Sequence, residues 1–296
     1  MSAFDIGERT RLDAPVDART RLFAILGHPI DHVRAPVVWS ALFKRYGINA
    51  VFLPAQVEPE GIDAAIAGFK RLRNVDGLMF TMPHKVAALR HADDITERAR
   101  RVGSLNLLRP NADGTWSGDN VDGAGFMTGL AADGISIDGV HAHVNGAGGV
   151  GENIAWSLAT HATQRLASLT LFDIDSARAA GLAARIAAAC SLNTSTGAMI
   201  VNQCGLAINA SPVGLEANDP MPFAVDALPQ HAVVADVIME PMFTPLLRAA
   251  AARGLKTHHG RNMMNFGMTL AAEFFRLPPE REWNGGALQN STPQKP

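Results

Sequence analysis

The first third of the chain alternates short apolar runs with stretches of helical periodicity. The apolar runs 21–26, 50–53 and 77–80 have the length of buried strands. Residues 36–46 and 62–69 place apolar side chains every three or four positions, which predicts two amphipathic helices. The order strand, helix, strand, helix, strand favours a parallel sheet covered by helices. On the first helix, the side chains expected to face the core are Val38, Ala41 and Leu42.

A different pattern begins near residue 105. The segments 105–108 and 115–117 are separated by the sequence Pro-Asn-Ala-Asp-Gly, which is typical of a turn, and together they predict a β-hairpin. A helix predicted at 123–130 leads into the second half, where strands and helices alternate again. The strands are expected at 141–145, 169–172, 206–209 and 233–237, and the helices at 152–158, 177–190, 246–252 and 263–275.

A glycine-rich turn lies between the strand predicted at 141–145 and the helix predicted at 152–158. Its sequence fits G-x-G-x-x-G, in which the glycines allow a tight turn and a close approach of the backbone to a pyrophosphate. The N–H groups of the helix N-terminus would meet the negative charge of that pyrophosphate. The residues expected to contact a dinucleotide are Gly146, Ala147, Gly148, Gly149, Val150 and Gly151.

Asp173 ends the next predicted strand. A carboxylate at that place accepts hydrogen bonds from the adenosine ribose and repels a 2′-phosphate, so NAD is favoured over NADP as the cofactor. Asp175 adds negative charge nearby, whereas Arg178 argues the other way. The alternative interpretation of Asp173 is a helix N-cap.

A lysine and an aspartate occur where helices are expected to begin. Pro83, in Thr-Met-Pro-His-Lys, suits the first turn of a helix. Lys85 would then lie near the positive end of the helix dipole, which disfavours its charged form and suits a general acid/base. Asp122 lies at the start of another predicted helix. The two residues predict proton transfer at a hydroxyl or carbonyl beside a redox cofactor, although an isolated lysine is usually a solvated surface residue.

The composition excludes several classes of protein. With 296 residues, the chain is about twice the length of a typical domain. A net charge of −2 gives no reason to expect a nucleic-acid or anionic-membrane partner, and no apolar run is long enough to span a bilayer. Cys190 and Cys204 do not indicate a disulfide framework, and the N-terminus lacks an apolar signal core, so a cytoplasmic location is expected.

The histidines do not predict a metal site. His141 and His143 share one face of a strand, and His258 and His259 are adjacent, but no carboxylates or thiolates stand at ligand spacing. No metal is therefore expected. His84, beside the candidate lysine, is expected to pack or to form a hydrogen bond rather than to act as an acid or base.

Seven motifs together resemble the shikimate/quinate dehydrogenase family from Leu22 to Phe275. They are specific because they occur in the family's order. They are GHPIDHVRAP at 27–36, TMPHK at 81–85, VGSLNLL at 102–108, GDNVDGAGF at 118–126, GAGGVG at 146–151, INASPVG at 208–214 and TPLL at 244–247.

The resemblance implies an α/β fold of two domains. Residues 20–122 would form a substrate-binding domain with a mainly parallel sheet, and residues 123–261 a Rossmann-like dinucleotide-binding domain. A C-terminal helix at 262–280 is expected to complete the first domain, and residues 1–19 and 283–296 to be flexible tails.

The resemblance also implies roles for individual residues. Lys85 would take the proton of the substrate hydroxyl, and Asp122 would hydrogen-bond the same hydroxyl and hold the lysine in place. Thr81 and Asn106 match positions that bind substrate. The residues that match segments lining the nicotinamide side of the family's site are Asn209, Ser211, Val237 and Gly260.

Several positions depart from the family's pattern. Where shikimate dehydrogenases carry a Ser-x-Ser pair that binds the substrate carboxylate, this chain has Val33, Arg34 and Ala35. The usual asparagine before the catalytic turn is Met79, and the usual tyrosine after the fifth strand is Met239. Each lost hydrogen bond to a carboxylate would cost about 1.5–3 kcal/mol, so shikimate binding should be weakened strongly. The usual glutamine of the final helix falls on Gly267, with Asn262 and Asn265 nearby.

Two explanations of these departures stay open. The substrate can lack the carboxylate, or Arg34 or His32 can bind an acid in a different geometry. Arg34 can also be a plain exposed residue at a helix start. In the first explanation, an apolar part of the substrate would lie against Val33, Ala35, Met79 and Met239.

The leading hypothesis is an NAD(P)-dependent dehydrogenase acting on a small, cyclic or otherwise compact hydroxylated molecule other than shikimate. The first alternative is a genuine shikimate or quinate dehydrogenase that uses Arg34 for the carboxylate. The second is a dinucleotide-binding sensor with little catalysis, against which the pair of Lys85 and Asp122 argues. The expected partner is a small-molecule substrate, and the expected state a monomer or homodimer.

Overall fold

A computed structural model describes residues 16–31, 33–216 and 218–277. The chain forms two compact units. The first comprises the described residues up to Ile95 together with Leu105–Asp119, and the second comprises Thr96–Ser104 and the described residues from Asn120 onward. The predicted N-terminal and C-terminal tails lie largely outside the described residues, and His32 lies outside them entirely.

The first unit contains a six-stranded mixed sheet. Its strands are β1 (Arg21–Gly27), β2 (Ala50–Gln56), β3 (Val75–Phe80), β4 (Asp94–Ile95), β5 (Leu107–Pro110) and β6 (Trp116–Asp119). The spatial order is β2-β1-β3-β5-β6-β4, with β1 parallel to both β2 and β3. Strands β5 and β6 are antiparallel, which confirms the predicted hairpin.

Two helices accompany this sheet, α1 (Ala35–Tyr46) and α2 (Ile62–Lys70). The predicted face of α2 is confirmed, since Ile62 and Ile66 are buried. The predicted face of α1 is partly wrong, because Ala41 is exposed and Val38 only half-buried. The ring of Trp39 takes the core position instead and stacks on Phe52, with centroids 5.8 Å apart. Burial of the large Trp39 ring stabilises the core more than burial of the small aliphatic side chains on which the prediction was based.

The second unit contains a sheet in which all strand pairs are parallel. Its strands are β7 (His141–Asn145), β8 (Ser168–Phe172), β9 (Thr194–Thr196), β10 (Leu206–Asn209), β11 (Val233–Asp236) and β12 (Lys256–His259). The spatial order is β12-β11-β10-β7-β8-β9. Counted from β7, this is the doubly wound order 3-2-1-4-5-6 read from the other edge.

The helices of the second unit are bounded by side-chain caps at several N-termini. They are α3 (Glu97–Val102), α4 (Asp122–Ala132), α5 (Gly149–Ala159), α6 (Ser176–Ala189), α7 (Pro245–Ala252) and α8 (Gly260–Phe274). Thr96 caps α3, Asp175 caps α6 and Thr244 caps α7, each by accepting backbone N–H groups. None of the helices in the described ranges has the length and apolar character needed to cross a membrane.

Helix α4 depends on glycine at two close approaches. A Cβ at Gly123 would lie 2.3 Å from the carbonyl oxygen of Asn153 in α5. A Cβ at Gly125 would lie 2.6 Å from the carbonyl oxygen of Met263 in α8. The sequence Gly-Ala-Gly therefore serves close helix packing within the second unit.

The short elements β4, α3, β9 and β12 were not predicted. Their sequences, DI, ERARRV, TST and KTHH, are mainly polar, so no apolar run marks them in the sequence. Strand β12 is also polar at most positions, and only its pairing with β11 defines it.

Candidate functional site

The glycine turn begins at the carboxyl end of β7. Gly146 has a φ of +108°, which L-residues with a side chain rarely adopt. Its N–H donates to the carbonyl of Phe172 at 2.7 Å, and a Cβ here would lie 2.8 Å from the carbonyl of Ala210. The turn is therefore held by the backbones of the two neighbouring strands, β8 and β10.

The rest of the turn leaves room for a ligand. A Cβ on Gly151 would lie 1.8 Å from the carbonyl oxygen of Gly146, so only glycine closes the turn. By contrast, a Cβ on Gly148 or Gly149 would meet nothing within 4 Å. Open space therefore faces the first turn of α5, whose N–H groups have no partners within the helix. The arrangement fits a dinucleotide pyrophosphate held by Gly148, Gly149 and Val150.

Asp173 supports the glycine turn. Its Oδ2 accepts the N–H of Ala147 at 2.7 Å, and its Oδ1 accepts the N–H of Asp175 at 2.9 Å and Nη1 of Arg178 at 3.2 Å. Burial alone would raise the pKa of Asp173, but these N–H groups and the guanidinium together lower it below the ordinary aspartate value. The alternative interpretation as an N-cap is wrong, because Asp175 caps α6.

Polar side chains form a row at the carboxyl ends of three neighbouring strands. Asn145 of β7, Asn209 of β10 and Asp236 of β11 are in register. The amide of Asn145 approaches Oδ1 of Asn209 at 3.4 Å, and Nδ2 of Asn209 donates to Asp236 at 3.1 Å. Oδ1 of Asn209 also accepts the hydroxyl of Ser211 at 2.7 Å. The predicted residues Asn209 and Ser211 therefore lie beside each other at this edge.

Three members of this region were not predicted from the sequence: Asn145, Asp236 and Thr244. Asp236 lies at the end of an apolar strand, and a polar residue ending a buried strand is the signal that would have found it. The hydroxyl of Thr244 donates to its carboxylate at 2.7 Å. Burial raises the pKa of Asp236 above the ordinary aspartate value, although hydrogen bonds from Thr244, Ile238 and Asn209 oppose this effect.

Three further predicted residues lie after β11: Val237 and Met239 follow the strand, and Gly260 begins α8. The N–H of Val237 donates to the carbonyl of Asn209 at 3.0 Å. A Cβ on Gly260 would lie 2.3 Å from the carbonyl oxygen of Val237, so glycine is required where α8 begins. Met239 is half-buried, and its carbonyl accepts Nε of Arg261 at 3.1 Å.

In the first unit, the turn at 81–85 leaves the carboxyl end of β3. The N–H of Thr81 donates to the carbonyl of Leu26 at 3.0 Å, and the N–H of His28 donates to the carbonyl of Met82 at 3.0 Å. The carbonyl of Lys85 accepts the N–H of Leu105 at 3.0 Å. Backbone bonds to β1 and to the segment before β5 therefore fix the place of Lys85.

The prediction that an α-helix begins at Pro83 is wrong. Residues 82–86 form turns, and a short 3-10 helix, Ala87–His91, follows Lys85. Because the lysine precedes this five-residue helix, the argument from the dipole of a full α-helix does not apply to it. The packing and hydrogen bonding predicted for His84 are confirmed, since its ring is buried and Nε2 lies 2.8 Å from the carbonyl of Val57, to which it must donate.

Two other predicted residues lie on the strands beside this turn. Met79 of β3 is half-buried and pairs with Leu107 of β5. Asn106 is buried; its carbonyl accepts the N–H of Phe80 at 2.9 Å, and its N–H donates to the carbonyl of Asp119 at 2.9 Å. The structure therefore brings Asn106 next to the strand that carries the turn.

The positions that replace the Ser-x-Ser pair lie at the start of α1. Ala35 is buried and Val33 half-buried, while Arg34 is exposed and occupies the N-cap position without a side-chain cap. Two residues of the turn beyond β3, Met82 and Val86, also expose apolar side chains, Met82 by 73%. Apolar groups are therefore frequent around this edge of the sheet.

Asp122 is the first residue of α4, as predicted. Its N–H donates to Oδ1 of Asn120 at 3.2 Å. A carboxylate in the first turn is favoured by the partial positive charge of the helix N-terminus. Lys85 belongs to the first unit and Asp122 to the second.

The two histidines of β7 differ in environment. His141 is exposed, and its Nδ1 lies 2.8 Å from the hydroxyl of Ser168. His143 is 3% exposed, and burial lowers its pKa to about 4. Within the described part of the chain, no group of three or more His, Cys, Asp or Glu side chains has an arrangement suited to a metal.

A parallel sheet of this order, with a glycine turn at the end of its first strand, defines a dinucleotide-binding α/β protein. The profile of the shikimate dehydrogenase substrate binding domain matches residues 25–108. A shikimate dehydrogenase (NADP(+)) of Salinibacter ruber is 36% identical over 84% of this chain and 90% of its own length. The chain belongs to the shikimate dehydrogenase family and is an NAD(P)-dependent dehydrogenase acting on a CH–OH group.

Two solved structures show the same architecture. The 5-ketofructose reductase of Gluconobacter sp. strain CHM43 superposes with a TM-score of 0.81 at 28% identity, covering 93% of this chain and 99% of that one. The quinate dehydrogenase of Corynebacterium glutamicum, solved in complex with NAD, gives a TM-score of 0.77 at 28% identity, covering 91% and 99%. Both chains match over nearly their full length.

Proposed function

We propose that the protein oxidises a secondary alcohol of a small hydroxylated molecule that lacks the carboxylate of shikimate, and reduces the corresponding ketone. The observation that carries the assignment to dehydrogenases is the glycine turn, whose open face at Gly148 and Gly149 precedes α5. Bound nicotinamide would supply the acceptor for the hydride. Residues 20–122 would hold the substrate and residues 123–261 the dinucleotide.

Lys85 and Asp122 are the proposed catalytic residues. The amine of Lys85 would take the proton of the substrate hydroxyl during oxidation and return it during reduction. The carboxylate of Asp122 would accept a hydrogen bond from the same hydroxyl and hold the lysine in place. The backbone bond from Leu105 to the carbonyl of Lys85 supports this role, because it fixes the main chain at the base of the lysine.

The proposed substrate follows from the residues at the start of α1. Val33 and Ala35 offer no hydrogen-bond donor to a carboxylate, and half-buried Met79 and Met239 add apolar surface. Thr81 and Asn106 would bind hydroxyls. The similarity to a 5-ketofructose reductase supports this proposal, because that sugar carries hydroxyl and ketone groups and no carboxylate.

The second candidate is a shikimate or quinate dehydrogenase. The names of curated relatives at 30–36% identity favour it. In this version the exposed Arg34 would bind the carboxylate bidentately. Initial rates with shikimate, quinate, 5-ketofructose and cyclic polyols separate the two candidates, because turnover of the two acids alone would contradict the first.

The catalytic pair is tested with Lys85→Met and Asp122→Asn. Lys85→Met should lower kcat by about 10²–10⁴-fold, since proton transfer loses its acid/base, while the dissociation constant of NAD stays unchanged. Lys44→Met, on the exposed last turn of α1, is the matched control and should keep full activity. Near-normal turnover by Lys85→Met would contradict the mechanism.

We further propose a preference for NAD over NADP. The ionised Asp173 supports it, because a carboxylate repels a 2′-phosphate. Arg178 opposes it and lies on the same carboxylate. Arg178→Ala should lower kcat/KM for NADP about tenfold relative to NAD, whereas Arg185→Ala, on the same helix, should leave the ratio unchanged. A higher kcat/KM for NADP in the unaltered protein would contradict the preference.

A further inference from the structure

Asp236 is a buried acid that the proposed chemistry does not use. Its carboxylate is fully buried at the carboxyl end of β11. It accepts three hydrogen bonds, from Nδ2 of Asn209 at 3.1 Å, the N–H of Ile238 at 3.1 Å and the hydroxyl of Thr244 at 2.7 Å. Among the described residues, the groups that affect its pKa include no cationic side chain. A buried carboxylate that is held by neutral donors alone is costly, so stability by itself gives little reason for an acid here.

The carboxylate fixes the orientation of the neighbouring amide. Because Asp236 only accepts, Asn209 must present its NH₂ group to it. The Oδ1 of Asn209 then faces the other way, where it accepts the hydroxyl of Ser211 at 2.7 Å and lies 3.4 Å from Nδ2 of Asn145. Nδ2 of Asn209 also donates to the carbonyl of Val213 at 3.0 Å, and its Oδ1 accepts the N–H of Ser211 at 3.2 Å. Asp236 and these backbone groups therefore fix the direction of the row together.

The same carboxylate also holds both ends of one segment. Ile238 lies near the start of the segment that follows β11, and Thr244, the N-cap of α7, directly follows its end. The hydroxyl of Thr244 accepts the N–H of Leu247 at 3.3 Å while its proton goes to Asp236. We call Asp236 and Thr244 the clamp, and residues 237–243 the clamped segment.

The strand order indicates which half of a dinucleotide would lie near the clamp. The glycine turn follows β7, and Asp173 at the end of β8 marks the adenosine ribose. A dinucleotide that crosses the end of β7 therefore extends its nicotinamide half over β10 and β11, on the opposite side of β7. Those two strands carry Asn209 and Asp236 at their ends.

We propose that the clamp positions the clamped segment and Ser211 against the nicotinamide half of the cofactor, which makes Asp236 and Thr244 positioning residues. The proposal rests on the proposed dehydrogenase function. It distinguishes the two halves of the cofactor, since the glycine turn and Asp173 serve the adenosine and pyrophosphate half without the clamp.

The test compares two threonine N-caps of the same geometry. Thr244→Val removes the cap of α7 and one bond to Asp236, and Thr96→Val removes the cap of α3, which spans the same 3.3 Å. Calorimetry on the full chain measures the dissociation constants of NAD and of ADP-ribose, which lacks nicotinamide. Thr244→Val should weaken NAD about tenfold and leave ADP-ribose within about twofold, and Thr96→Val should change neither. Equal losses for both ligands, or no loss, would overturn the proposal.

A second variant separates positioning from folding. Asp236→Asn removes the buried charge, so its melting temperature should stay the same or rise, because burial disfavours the ionised carboxyl. Its affinity for NAD should nevertheless fall about tenfold, since an amide whose oxygen stays with Asn209 and Ile238 turns its NH₂ group to Thr244 and no longer accepts the proton of that hydroxyl. Thr244→Ser keeps the hydroxyl and should restore binding of NAD. A lower melting temperature of Asp236→Asn with unchanged NAD affinity would show a structural role only.

The result also distinguishes this proposal from the proposed function. If the unaltered chain binds NAD but oxidises no alcohol, the chemistry is wrong, while the comparison of NAD with ADP-ribose still decides the clamp. If the unaltered chain turns over and Thr244→Val binds both ligands normally, the clamp is wrong and the chemistry stands. If the unaltered chain binds neither ligand, both proposals fail.

Discussion

The turns at the carboxyl ends of the strands differ between the two sheets in how the sequence specifies them. The glycine turn is defined mainly by backbone contacts. The N–H of Gly146 donates to the carbonyl of Phe172, there is no room for a Cβ on Gly151 beside the carbonyl of Gly146, and the N–H of Ala147 donates to Asp173. Around the turn at 81–85, the backbone also fixes the path, but the proposed contacts with the substrate are made by side chains. There the positions Val33 and Ala35 are apolar.

The difference teaches how a family can keep its fold and its cofactor while its substrate changes. A pyrophosphate is recognised by main-chain N–H groups, so any sequence that allows the turn allows the ligand. A substrate carboxylate needs particular side chains, and those can be exchanged without disturbing the strands beneath. We therefore expect substitutions at the glycine turn to affect folding and cofactor binding together, and substitutions at Val33 and Ala35 to affect substrate choice alone.

The largest expected effect comes from a substitution that disrupts the backbone of the glycine turn. Gly151→Ala would force a Cβ to within 1.8 Å of the carbonyl of Gly146, where no flexible side chain can give way. We expect a loss of about 3 kcal/mol in unfolding free energy, as for overpacked sites, and a melting temperature lower by roughly 6–12 °C. Thermal denaturation followed by circular dichroism measures it.

Gly149→Ala is the matched control for that substitution. A Cβ at Gly149 meets nothing within 4 Å, so the melting temperature should stay within about 2 °C of the unaltered protein. Equal stability of the two variants would mean that the turn is not closed as described.

A second prediction concerns stability at low pH. It sharpens the comparison because the titrating residue, His143, belongs to the second unit. The pKa of buried His143 lies near 4, below its ordinary value near 6.5, because burial disfavours the charged ring. Between these values the unfolded chain binds more protons, so the stabilising effect is complete above about pH 6.5 and is lost as the pH falls toward 4. We expect the unfolding free energy to fall by on the order of 2–3 kcal/mol between pH 7 and pH 4.5 because of His143.

Urea denaturation at the two pH values measures the effect. His143→Gln should reduce the loss of unfolding free energy by that amount, because glutamine does not titrate. His141→Gln, two residues earlier on the same strand and exposed, should leave the loss unchanged. The acid prediction fails if both variants show the same pH dependence as the unaltered chain.

The smallest expected effect tests the side-chain half of the comparison. The double substitution Val33→Ser with Ala35→Ser restores the pair that shikimate dehydrogenases carry. It should raise kcat/KM for shikimate about tenfold or more, because each hydrogen bond to a carboxylate contributes about 1.5–3 kcal/mol. The melting temperature and the affinity for NAD should not change. No gain with shikimate would point to Arg34, and Arg34→Ala would then abolish activity on acids.

Local patterns in the sequence determined the element order, since apolar runs and helical periods place most strands and long helices correctly. The hairpin of β5 and β6 and the face of α2 followed from turn residues and spacing alone. Within the candidate site, the glycine turn was equally visible, because its requirements for a positive φ and for close contacts lie within a few residues of sequence. Such features are local, so the sequence determines them without knowledge of the fold.

Only the tertiary structure decided which residues meet across strands. Trp39 displaced Ala41 from the core because its ring stacks on Phe52 of a different element. Asp173 proved to brace Ala147 rather than cap a helix, and Lys85 proved to precede a short 3-10 helix. The row from Asn145 to Asp236 exists because three strands far apart in sequence end in register, and that register is set by hydrogen bonding between strands and by core packing.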